Sequence, residues 1–135
     1  MKFSACVYIE IFIIIAFGLS RGRLDDCAFG STAADTFGNG ALITCLLITP
    51  LLLICYLMGR MEIQETILEL SLNFIFFIFL TSASIKAFIY WKDHQADQYA
   101  GSGLTMASFV LFAGTGYMID TIFAAKNLRD AYYDN

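Results

Sequence analysis

Charge is scarce in this 135-residue chain, which carries eight Lys and Arg against twelve Asp and Glu for a formal net charge of −4. The basic residues stand singly, so no patch exists to neutralise a phosphate backbone, and no nucleic-acid partner is expected. Histidine occurs once, at His94, too few to build a metal site. Of four cysteines, Cys6, Cys45 and Cys55 lie in apolar runs, and only Cys27 lies in a polar loop. One loop cysteine cannot close an extracellular staple, and no Cys/His spacing resembles a zinc site. Also missing are a Ser/His/Asp set, a Cys/His pair and a phosphate-cradling glycine loop, and the loops are too short to roof a pocket. We therefore expect neither enzymatic activity nor a cofactor.

What the chain has instead is hydrocarbon. Hydrophobic residues make up 59% of it, gathered into long runs and not spread at amphipathic spacing, which marks membrane spans. Four runs, at about 3–19, 40–57, 67–91 and 104–125, are joined by loops at 20–39, 58–66 and 92–103 and followed by a short polar tail at 126–135. The expected fold is an all-α membrane protein, a single four-transmembrane-helix antiparallel bundle over residues 1–135. The short charged connector containing Arg60, Glu62 and Glu65 makes spans two and three a packed hairpin.

The first run resembles a signal peptide, with Lys2 ahead of it and Gly18-Leu19-Ser20 as a small-residue cleavage site. Glu10 interrupts the apolar core that a signal requires, so we read the segment as a retained span. In the second run Pro50 removes one backbone donor and should kink the helix, with Thr49 beside it to satisfy a freed carbonyl. The third ends in Lys86, Tyr90 and Trp91, expected as interface anchors: the aromatics at headgroup level, the lysine snorkelling outward. The fourth places Gly103, Ala107 and Gly114 at spacings of four and seven, a face of small residues that lets helix backbones approach closely. That face suits contacts within the chain or lateral association between copies.

An up-and-down path puts the start of span one, the start of span three and the end of span four on one side of the bilayer. At a rise of about 1.5 Å per residue, Glu10, Asn73 and Asp120 then lie roughly 8 to 10 Å in from that side. Tyr117, one turn before Asp120, joins them. Polar groups at such depth should face the bundle interior and find partners. Two roles are open to this layer: a clasp that fixes helix register, or a proton or ion site. Cys6 and Cys55 lie towards the same face, where palmitoylation is conceivable, although buried inert thiols are the commoner outcome. Orientation is undetermined by charge, since Lys2, Arg60, Lys126 and Arg129 on one side nearly balance Arg21, Arg23 and Lys92 on the other.

Asn73 early in span three, Tyr90-Trp91 closing it, and the ending Gly116-Tyr117-Met118-Ile119-Asp120-Thr121 together resemble the snakeskin-like four-span proteins of arthropod smooth septate junctions, of MARVEL-type tetraspan architecture. The resemblance covers about residues 60–127, and the first half by hydropathy alone. It implies cytoplasmic termini, two extracellular loops (20–39 and 92–103), residence in the plasma membrane at cell contacts, and a part in assembling a paracellular barrier. The partners it implies are the lipid bilayer and, laterally, further copies or other junction membrane proteins.

Overall fold

A computed structural model describes residues 2–22, 29, 32–58, 67–98 and 100–134. Cys27 and the connector carrying Arg60, Glu62 and Glu65 lie outside the described residues. Four helices follow one another, α1 (Lys2–Gly22), α2 (Thr32–Leu57), α3 (Ile67–Asp93) and α4 (Ala100–Asp134). Three of them are long and apolar enough to cross a membrane, while the apolar part of α1, Cys6–Leu19, is shorter. The protein is a multi-pass helical membrane protein.

The helices form a ring in chain order. Each packs on its two neighbours, most closely α3 on α4 and least closely α2 on α3, and the diagonal pairs keep their Cα atoms more than 8 Å apart. Contacts between α3 and α4 run antiparallel, from Trp91 on Gly103 through Leu80 beside Gly114 to Phe76 against Tyr117. The same sense holds between α1 and α4, where Ile9 meets Gly116 and Phe12 meets Phe109 and Phe112.

Solvent for this bundle is lipid, and its surface reads accordingly. Ile14, Leu47, Leu51, Phe74, Ile89 and Phe112 point outward, each more than a third exposed. Helices apolar on the outside as well as the inside are stable only where the surroundings are apolar too. Three threonine hydroxyls on the outside are folded back onto their own helices: Thr44, Thr105 and Thr115 each donate to the carbonyl four residues earlier, at 2.8 to 2.9 Å. Lipid offers no hydrogen bonds, so this local closure removes the cost of exposing them.

Inside, close approach is set by glycine. A Cβ at Gly103 would stand 2.2 Å from the Trp91 ring, and one at Gly114 would meet Thr81 and Leu80 at 3.2 and 3.4 Å. Ser84, fully buried on α3, donates to the Ala107 carbonyl of α4 at 2.9 Å. The small-residue face of α4 is thus occupied by α3 of the same chain.

Three boundaries differ from the sequence-based expectation. Helix α2 begins at Thr32 and not near residue 40. Asp35 in its first turn complements the helix dipole, and Asn39 donates to the Asp35 carboxylate one turn on, at 3.0 Å. Gly38 is helical and marks a close approach, since a Cβ there would lie 2.5 Å from the buried Phe29 ring. Helix α4 begins at Ala100, not near residue 104, and runs past 125 into the polar tail as far as Asp134. Extending a formed helix needs no new nucleus, and Ala124, Ala125, Lys126, Leu128 and Arg129 all favour it. Thirty-five residues give α4 a length of about 52 Å, well past the roughly 30 Å hydrocarbon core, so its C-terminal turns project beyond the membrane.

Gly103→Ala should destabilise the bundle by about 1–3 kcal/mol through overpacking against Trp91. Gly101→Ala, with nothing within 4 Å of the added methyl, should cost nothing. Thermal melts of the two variants in detergent test this pair, and equal melting temperatures would refute the close-approach account.

Candidate functional site: the intramembrane polar cluster

Towards one end of the ring, four helices deliver polar side chains to a single small cavity. It measures about 10 Å³ and is lined by Cys6 and Ile9 from α1, Thr49 and Leu52 from α2, Glu69 and Asn73 from α3, and Tyr117 and Asp120 from α4. Such a volume corresponds to about one water molecule. Glu69, only 3% exposed, and Asn73 are one turn apart on α3 and so share a face, as Tyr117 and Asp120 do on α4.

The hydroxyls of Thr49 and Tyr117 share a hydrogen bond that spans the ring's diagonal, from α2 to α4. No backbone contact joins those two helices, so their direct polar link is made by side chains alone. The Cys45 thiol, one turn before Thr49 and fully buried, lies within hydrogen-bonding reach of the same Tyr117 hydroxyl. The Tyr117 ring packs against Phe76 with centroids 5.3 Å apart, which holds the phenol in place. Thr49 therefore does not serve the backbone carbonyls freed by Pro50. Helix α2 runs unbroken through Pro50 all the same.

Of the layer read from the sequence, the structure brings Asn73, Tyr117 and Asp120 together. Glu10 does not line the cavity, whose wall α1 reaches through Cys6 and Ile9, but its carboxylate is near enough to act electrostatically on Tyr117 and Cys45. It is half-buried, and its Oε2 has no hydrogen-bond partner among the described residues. Sequence reasoning missed Glu69 and Thr49. The four-residue step from Glu69 to Asn73 was the available signal, because it puts both on whichever face Asn73 occupies.

The expected interface anchors separate. Lys86 is exposed, and Tyr90 is half-buried and stacks on His94 with centroids 4.2 Å apart. Trp91, 4% exposed, faces α4 across Gly103 and belongs to the core. Its ring fills the space the glycine leaves, a packing demand that outweighs any preference for headgroups.

No cluster of three or more His, Cys, Asp or Glu among the described residues is placed to hold a metal ion. Chemically, the cavity can hold one water and tie four helices together. Comparison with known proteins finds no matching family model, no matching curated protein and no matching solved structure.

Thr49→Val and Tyr117→Phe should each lower stability, and the double variant should lose less than the sum. A coupling of about 0.5–2 kcal/mol is expected for a buried hydroxyl pair in a membrane interior. Reversible unfolding in mixed detergent micelles measures it, and strict additivity would mean the pair contributes nothing.

Proposed function

We propose that this chain is a structural, organising membrane protein of an epithelial cell–cell junction that contributes to a paracellular barrier, with both termini in the cytoplasm. The observation that carries the structural part is the closure of the polar cluster. Its cavity of about 10 Å³ is no larger than one water, and the Thr49–Tyr117 bond crosses the ring beside it. A cavity this small leaves no room for a solute at the cluster, which favours polar groups that hold helices in register. The junctional part rests on the resemblance carried by Asn73, Tyr90-Trp91 and Gly116 to Thr121.

A junction component needs stable insertion, an outer surface for lateral neighbours and some chain beyond the bilayer. The apolar exterior meets the second need. The projecting C-terminal turns of α4, with Tyr132 and Tyr133 80% and 77% exposed, meet the third on the side of the termini. With the Gly103, Ala107 and Gly114 face occupied by α3, association with further copies or other junction proteins would use the outward faces of the ring.

A second reading, a small proton- or ion-coupled transport protein or subunit, draws on the partnerless Oε2 of Glu10 and on Glu69 and Asp120 at the cavity. The two readings separate under mutation. As a structural protein, Asp120→Asn should insert and localise as the wild type does, because an amide still hydrogen-bonds, and reconstituted vesicles should show no pH-dependent flux with either chain. Flux with the wild type that Asp120→Asn abolishes would establish transport. For the junction itself, a tagged copy in epithelial tissue should concentrate at cell contacts with its terminal tag protected from external protease; diffuse intracellular staining would overturn the junctional assignment.

A further inference from the structure

A lateral crevice opens between the first turns of α2 and the C-terminal half of α3. It holds about 320 Å³, against about 10 Å³ for the central cavity, and is lined by Ala33, Ala34 and Phe37 of α2 and by Ser82, Ala83 and Lys86 of α3. It lies where helix packing is loosest, between α2 and α3. Phe37 bounds it on one side and leans edge-on against Phe79, centroids 5.4 Å apart. The walls are small and almost wholly apolar.

Lys86 is the exception. Its side chain lines the crevice, is exposed, and makes no ion pair or hydrogen bond with any described residue. The nearest acid on the facing helix, Asp35, accepts from the Asn39 amide. An ammonium one and a half to two turns inside the end of a membrane helix needs an anion or water to offset its desolvation. A crevice of alanines needs atoms to replace lost dispersion contacts. One molecule in the surroundings answers both demands.

We infer that the α2–α3 crevice is a binding site for a single lipid with an anionic headgroup, its acyl chain lying over Ala33, Ala34 and Ala83 and its phosphate meeting the Lys86 ammonium. Basic positions between transmembrane helices recognise headgroups in this way. Anionic lipids are favoured over zwitterionic ones because a zwitterion brings its own cation to the phosphate, while Lys86 offers positive charge with no competing partner. An apolar helix from a second copy would bury the ammonium uncompensated, which disfavours it as the occupant. The binding chemistry of the site, unlike the supply of anionic lipid in each leaflet, does not depend on which way the chain faces or on the junctional reading.

Native mass spectrometry of the full chain, titrated in detergent with phosphatidylglycerol or phosphatidylcholine, tests the inference. The wild type should hold one phosphatidylglycerol about tenfold more tightly than phosphatidylcholine. Lys86→Arg should keep that preference and Lys86→Gln should abolish it, while Ser82→Leu, which fills the crevice from an exposed position, should weaken both adducts. Circular dichroism should show unchanged helicity in all three variants. Equal retention of the two lipids by the wild type would overturn the assignment, as would a preference that survives Lys86→Gln. A lipid-free dimer that Ser82→Leu dissolves would assign the crevice to a second copy and overturn it too.

Discussion

Hydrocarbon cannot accept or donate a hydrogen bond, so polar atoms placed within it are satisfied chiefly by the chain itself. That constraint accounts for most of the side-chain geometry in this bundle. Threonine hydroxyls on the outer surface turn back to their own helices, as those of Thr44 and Thr105 do. Those on the inner surface join helices, as Ser84 does to the Ala107 carbonyl and Thr49 to Tyr117. The second of these bonds matters most for architecture, because it ties opposite corners of a ring whose diagonals make no backbone contact. Around it gather Glu69, Asn73 and Asp120, groups too costly to face lipid.

Close packing supplies what hydrogen bonding does not. Between helices in lipid the hydrophobic effect gives little net drive, so association depends on fit and on small residues. The α3–α4 pair is the tightest in the bundle, and its seam alternates large on one helix with small on the other: Trp91 on Gly103, Leu80 beside Gly114. The α2–α3 pair is the loosest, and there the fit is left incomplete, with alanines facing a space that Lys86 overlooks. Closely packed on one side and open on the other, the ring combines a filled core with a surface that the bilayer can complete.

Much of this was legible in the sequence, and the remainder was hidden for identifiable reasons. The all-helical membrane architecture follows from the length of the apolar runs, because lipid leaves few other solutions. Asn73, Tyr117 and Asp120 could be placed at one depth from helical rise alone. Rise says nothing of azimuth, however, and so Glu10 shared the right level without lining the cavity, while Glu69, only 3% exposed, was not placed in the layer at all. Thr49 was assigned to Pro50 because a local partner is visible in sequence and a diagonal one is not. Trp91 followed a composition rule for membrane interfaces that the space over Gly103 overrode. Helix ends were the least legible. The Asp35–Asn39 bond and the docking of Phe29 on Gly38 extend α2 into what composition describes as a glycine-rich loop.

The central claim is that the polar cluster is a closed clasp and not a segment of an aqueous path. Cys45 reports on it directly, being fully buried one turn from Thr49 and within reach of the Tyr117 hydroxyl. In a variant whose other three cysteines are replaced by alanine, a small water-soluble thiosulfonate should leave Cys45 unmodified in intact vesicles and modify it fully after denaturation in dodecyl sulfate. Modification in intact vesicles at the rate of an exposed thiol would show water reaching the cluster, and would contradict the account.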